Sequence, residues 1–189
     1  MYYKNVRNSF FNYKSWYSYL YNQLKSGDIF VEIGTWTGGS SLYFGEVIKN
    51  GRKKIDFYTV DHFKGSAEHQ RGYWDLIQNK GLYEYYLSVR EPLKDYIKVI
   101  KADSHLKETA ARFRDNSIAA VFIDGDHSHP GVLKDLEVWY PKIKIDGIIS
   151  GHDYIWCRDL GVKPVVHKFF NNEIETFEGD VWYHIKTKS

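Results

Sequence analysis

A single cysteine, Cys157, leaves this chain no internal disulfide, and such sparing use fits a reducing compartment. An excess of one charge is also missing. The 26 basic residues are dispersed among 24 acidic ones for a net +2, with no basic stripe, so a nucleic-acid partner is not expected. No window approaches the roughly eighteen consecutive apolar residues of a membrane span, so no membrane partner is expected either. The opening "MYYKNVRNSFFNYK" has no continuous apolar core of a signal peptide. These absences predict a cytoplasmic protein. Repeats, low-complexity stretches and linkers are lacking too, so residues 1–189 read as one domain.

What is present is a rhythm of short apolar runs and helical spacings. Phe10, Tyr13, Tyr17, Leu20 and Leu24 recur every three or four residues, predicting an amphipathic helix over 8–25 within an N-terminal unit of residues 1–27. Strands are predicted at 28–34, 54–61, 97–104 and 118–124, and a fifth in "DGIISGHDY". Helices fall between them: "GGSSLYFGEVIKNG", "LKETAARFRDNS" with Leu106, Ala110 and Phe113 inward, "PGVLKDLEVWYPKI" and "VKPVVHKFFNN". The tail "IETFEGDVWYHIK" reads as two strands about a tight turn. Residues 62–96 are too long for a simple loop and predict short helices acting as a substrate lid, with Trp74–Leu93 its main part. The fold class is therefore α/β: a doubly wound, mostly parallel seven-stranded sheet with a C-terminal antiparallel strand pair.

Polar clusters then fall at the ends of five successive strands: Gly34 to Ser40, Asp61-His62, Ala102-Asp103-Ser104, Asp124 to His129, and Gly151-His152-Asp153. Open α/β sheets bind ligands outside the carboxyl ends of their strands, so these clusters mark one active-site rim. The densest is "FIDGDHSHPG" (122–131), where Asp124, Asp126, His127 and His129 crowd behind an apolar run. Such crowding suits a metal, a proton or a ligand; the plain alternative is a solvated loop whose acids cap the next helix.

The Gly-rich turn "EIGTWTGG" is not a dinucleotide fingerprint, because Trp36 stands where G-x-G-x-x-G needs its second glycine. Nor does it carry the Gly-Lys-Ser/Thr of a phosphate loop. Its pattern, E-x-G-x-x-x-G-x-S, resembles motif I of class I S-adenosylmethionine-dependent methyltransferases. "VFIDGDHSHPGVLKDLEVWYPKIKIDGIISGHDY" is similar to the core of the small-molecule O-methyltransferases that include the macrocin and catechol enzymes, in their "IDGDHS…GHDY" branch. The likeness spans about residues 26–186.

That resemblance implies a cofactor, S-adenosylmethionine, and a small-molecule partner bearing a sugar-like or phenolic hydroxyl. It assigns Glu32, Gly34, Thr35, Trp36, Gly38 and Ser40 to the cofactor's methionyl part, and Asp61 with His62 to the ribose. Ala102, Asp103 and Ser104 would flank the adenine, with Asp124 closing the site. Metal-dependent relatives hold Mg²⁺ at the positions of Asp124, His152 and Asp153. A histidine is unusual for a hard cation, so either His152 is not a ligand, or Asp126 supplies the third one, or the metal is softer, such as Mn²⁺ or Fe²⁺. His127 is the candidate base for the acceptor proton, so catalysis falls to His127 and Asp124. His129, Tyr154 and Trp156 are candidate substrate contacts. Two rivals keep the fold but change the class: a metal-dependent hydroxylase-like enzyme, and a non-catalytic S-adenosylmethionine-binding protein. A nicotinamide dehydrogenase is disfavoured by Trp36, and a homo-oligomer is left open.

Overall fold

The computed structural model describes residues 1–7, 9–65, 81–155 and 161–188. Seven strands form one sheet: β1 Ile29–Ile33, β2 Asp56–Asp61, β3 Lys98–Lys101, β4 Ile118–Ile123, β5 Ile143–Gly151, β6 Glu175–Phe177 and β7 Val181–Ile185. Their order is β3-β2-β1-β4-β5-β7-β6. The first five are mutually parallel, and β7 is antiparallel to both β5 and β6. The doubly wound sheet with its C-terminal antiparallel pair is thus the one expected. Chain order reverses between β1 and β4, which opens a crevice at their carboxyl ends.

All six residues of β4 are buried, as a central parallel strand covered on both faces requires. One face packs under α1 (Lys14–Gln23), α2 (Gly39–Asn50) and α3 (Leu82–Arg90), around Trp16, Tyr17, Phe30, Phe44 and Phe57. The other packs under α4 (Lys107–Ala110), α5 (His129–Trp139) and α6 (Val162–Phe169), around Val121, Leu136, Trp139 and Trp182. Burying one such large side chain contributes about 1.5–3 kcal/mol, so both layers hold the sheet firmly.

Three boundaries differ from the sequence pattern. The first helix begins only at Lys14, and Phe10, read as inward, is 58% exposed. Residues 9–13 precede the helix and wall a cavity described below. Leu106, also read as inward, is 50% exposed: α4 is a single turn starting at Lys107, so Leu106 stands at its cap, off the buried face. Strand β5 starts earlier, at Ile143, and accommodates a register shift opposite Ile118–Ala120, with Asp146 at φ 61°.

Within the expected lid, residues 66–80 lie outside the described residues, as does Trp156. The described end of that segment is anchored: Leu82, Tyr86 and Leu93 are fully buried in the first core layer. No helix among the described residues is long and apolar enough to cross a membrane.

Candidate active site

The parallel ladder brings the strand ends together before any side chain acts. The Gly34 amide donates to the Val60 carbonyl at 3.0 Å, Asp124 to Ile33 at 2.8 Å, His152 to Ile123 at 3.1 Å, and Ala102 to Asp61 at 3.0 Å. β1, β2, β3, β4 and β5 therefore end on one line. Gly34 sits where the turn crosses β4: a Cβ there would lie 2.1 Å from the Asp124 carbonyl oxygen, and its φ of 82° is left-handed. Any side chain would push the two strand ends apart.

Two cavities open on this rim, of about 450 and 520 Å³, and Gly34, Trp36 and Asp124 wall both. The first runs over β1, β2 and β3 and is lined by Asp61, His62, Asp103, Ser104 and Asp126. The second runs over β4 and β5 and is lined by Thr35, Ser40, His127, His152 and Asp153. Trp36, Phe63 and Asp153 all have positive φ, near 48°, 57° and 57°. Part of the strained backbone thus lies at the rim, while five other non-glycine residues among those described also take positive φ.

Asp61 organises the first cavity. Its Oδ2 accepts the amides of Thr35 at 2.8 Å and Trp36 at 3.0 Å, and its Oδ1 that of Phe63 at 2.6 Å. A carboxylate has about four acceptor positions, so one remains for a ligand hydroxyl. Ala102 packs into the core and does not reach the cavity. Gly38, at φ 97°, caps α2 behind the turn, where a Cβ would meet the Tyr86 ring at 2.8 Å. Sequence reasoning missed His105, which lines this cavity with Nε2 3.6 Å from the buried Asp135 carboxylate. That carboxylate raises the imidazole's pKa, while burial raises the pKa of Asp135 itself.

Glu32 lies behind the turn, fully buried, and lines neither cavity. The Tyr17 hydroxyl donates to its Oε1 at 2.7 Å and the Ser41 hydroxyl to its Oε2. Burial outweighs these donors and pushes the carboxyl up to about 7. Between pH 4.5 and 7 the unfolded chain has released this proton and the folded chain has kept it. Stability therefore falls as pH rises through that window, by about 3 kcal/mol in all. Glu32→Gln should remove that slope and be the more stable chain at pH 8. Urea denaturation of both proteins at pH 5 and pH 8 checks this, and an identical pH slope in the two would contradict it.

The second cavity holds the charged cluster. One ligand atom each from Asp124, His152 and Asp153 lies within 4.8 Å of the others. His127 Nε2 is 3.0 Å from Asp153 Oδ2 and 3.6 Å from Asp124 Oδ1, while His152 Nδ1 is 3.3 and 3.7 Å from the same two oxygens. Burial alone would raise the Asp124 carboxyl, but His127, His152 and Tyr13 together hold it below the usual carboxylate range. Burial opposes protonation of His152, yet Asp153, Asp124 and Asp180 raise its pKa on balance.

Of the residues expected around the metal and the acceptor, three described ones are elsewhere. Asp126 faces the first cavity and accepts the Ser128 amide at 2.9 Å, a turn-capping role that leaves it out of the cluster. His129 starts α5 and is exposed, lining neither cavity. Tyr154 turns toward α6, its hydroxyl 2.8 Å from His167 Nε2.

Two contributors were missed because the chain's ends deliver them. The Tyr13 hydroxyl donates to Asp124 Oδ2 at 2.6 Å and its ring packs 4.6 Å from that of His152. Asp180, in the turn between β6 and β7, also lines this cavity. Tyr13 looked like one more inward aromatic and Asp180 like an ordinary turn residue; no local signal marks either.

Comparison with known proteins bears on the family and the fold. A family described as a methyltransferase domain matches residues 31–154. The O-methyltransferase NovP superposes with a TM-score of 0.63 at 21% identity, over 93% of this chain and 78% of its own. CalS11, described as a TDP-rhamnose 3'-O-methyltransferase of calicheamicin biosynthesis, gives 0.63 at 14% identity, over 91% and 78%. A SAM-dependent O-methyltransferase from Thermotoga maritima gives 0.61 at 12% identity, over 98% and 70%. Strand order, the Gly-rich turn on Asp61 and the family match over 31–154 lead to one assignment: the chain belongs to the methyltransferase domain family, as an S-adenosylmethionine-dependent enzyme.

Proposed function

We propose that this enzyme methylates a hydroxyl oxygen of a small molecule with the help of a divalent metal. The observation that carries the reading is the shared wall: Asp124 faces both cavities, so a cofactor in one and an acceptor in the other would meet at it.

The first cavity suits the cofactor in size and chemistry. About 450 Å³ lies within the usual range of roughly 300–1,000 Å³ for small-ligand sites. Asp61 offers its remaining acceptor position to ribose hydroxyls, while Asp103 and Ser104 stand where the adenine would end. S-adenosylmethionine, when bound, supplies an electrophilic methyl group on a sulfonium. The carboxylate-rich wall favours that positive charge.

The second cavity suits a metal and a neutral acceptor. Asp124 and Asp153 offer hard oxygens and His152 a nitrogen, a mixed donor set better suited to Mn²⁺ or Fe²⁺ than an all-oxygen site is. A divalent ion there would lower the pKa of an acceptor hydroxyl and fix its position. His127 would take the hydroxyl proton, since its Nε2 faces the same carboxylate oxygens. Tyr13 holds Asp124 in place by its hydroxyl. Phe10, Phe11 and Trp36 line the opening and would pack on a sugar or phenol ring.

Isothermal titration with S-adenosylhomocysteine, with and without Mg²⁺, tests the reading. Micromolar binding is expected, and Asp61→Ala should weaken it by roughly 1.5–3 kcal/mol through loss of a charge-assisted hydrogen bond. Tight NADH binding without response to S-adenosylhomocysteine would overturn it.

A further inference from the structure

Building on the metal reading above, we propose that Asp180 is the positioning residue that lets His152 serve as a ligand. An imidazole can bind a cation through Nδ1 only if its proton sits on Nε2. His152 Nδ1 faces two carboxylates, 3.3 Å from Asp153 Oδ2 and 3.7 Å from Asp124 Oδ1. Left to those neighbours, the proton of a neutral ring would settle on Nδ1 and close the donor set. A competing negative charge on the far side of the ring is required, and Asp180 supplies it: its Oδ2 stands 3.3 Å from the buried Nε2, an ion-pair contact that is not aligned as a hydrogen bond.

The fold holds that carboxylate where it is needed. Gly151 of β5 pairs with Trp182 of β7, so the turn preceding β7 overhangs the residues that follow β5. Glu178 and Gly179 both take left-handed φ, 49° and 86°, which makes the turn tight. The Asp180 carbonyl accepts the Tyr154 amide at 3.1 Å, and its Oδ1 accepts the Ile155 amide at 3.2 Å. With Oδ1 committed, Oδ2 is the oxygen turned to the ring. Sequence pattern alone would leave a histidine in a hard-cation site unexplained; the hairpin supplies the reason it works.

The test is Mn²⁺ affinity, read by the loss of the free-ion electron paramagnetic resonance signal, for the native protein, Asp180→Asn and Asp180→Ala. In Asp180→Asn the amide oxygen keeps the Ile155 contact and the NH₂ group faces Nε2. That donor forces the ring proton onto Nδ1, so affinity should fall by about 10–100-fold. Asp180→Ala leaves Nε2 to water and should lose less. S-adenosylhomocysteine affinity should stay unchanged in both. If Asp180→Asn binds Mn²⁺ as well as the native chain, or better than Asp180→Ala, the positioning role is wrong while the metal reading stands. If the native chain binds no Mn²⁺, both fall together. Should either variant fail to fold, long-range ¹H–¹⁵N spectra of the native Mg²⁺-loaded protein decide instead: His152 should be protonated at Nε2, and protonation at Nδ1 would overturn the proposal.

Discussion

Asp124→Asn should abolish methyl transfer while leaving S-adenosylhomocysteine affinity within a few-fold of the native chain. The substitution keeps the side chain's shape and one acceptor for the Tyr13 hydroxyl, now 2.6 Å from Oδ2. It removes the negative charge on which two imidazoles converge, 3.6 and 3.7 Å from Oδ1. Those contacts, with the Tyr13 hydroxyl, hold the native carboxyl ionised, so the loss is one of a real charge and not of a neutral acid. Metal affinity should drop with it, because the remaining acid of the triad, Asp153, cannot alone balance a divalent ion. Asp153→Asn should behave alike. Labelled methyl transfer to a panel of catechols, phenols and methyl glycosides, alongside Mn²⁺ titration, measures both effects. Full turnover in protein stripped by EDTA would remove the metal from the reaction and leave His127 as the only activator.

His127→Ala should lower kcat by about 10²–10⁴-fold with little change in cofactor binding, the usual contribution of a general base. His127 lines the second cavity, with Nε2 buried 3.0 Å from Asp153 Oδ2. A hydroxyl that takes the place of this contact on the carboxylates would present its proton to Nε2. Only the neutral ring can accept a proton, so the native rate should rise with pH through one apparent pKa, and His127→Gln should flatten that limb. Near-normal turnover in His127→Gln with an unchanged profile would reduce His127 to a residue that pairs with carboxylates and nothing more.

The contrast between Asp124 and Asp126 illustrates how far local pattern reaches. Both follow the same apolar strand within one short stretch, and both could be ligands by type. The strand direction and the polar terminus after each apolar run were legible because β periodicity and helix spacing are local properties of the chain. That legibility carried the parallel sheet, the Gly-rich turn and Asp61 at the end of β2, whereas Asp124, His152 and Asp153 were named as a set only through the resemblance to metal-dependent methyltransferases. Which carboxylate faces which cavity was not legible. It depends on the turn after β4, where Asp126 bends back to its own Ser128 amide while Asp124 stays between β1 and β5.

The sequence by itself determined the layer order and the placement of chemistry at strand ends, since alternating apolar runs admit few right-handed windings. It also determined the family, through the motifs of residues 31–154. Tertiary structure alone decided what completes the site. Tyr13 comes from a segment ahead of the first helix and Asp180 from the last hairpin, more than a hundred residues from Asp124 in one case and 28 from His152 in the other. Contacts between such distant positions leave no periodicity in the chain. They arise only when β7 folds back antiparallel on β5 and the N-terminal segment closes over β4, so the final shape of the candidate active site is a property of packing.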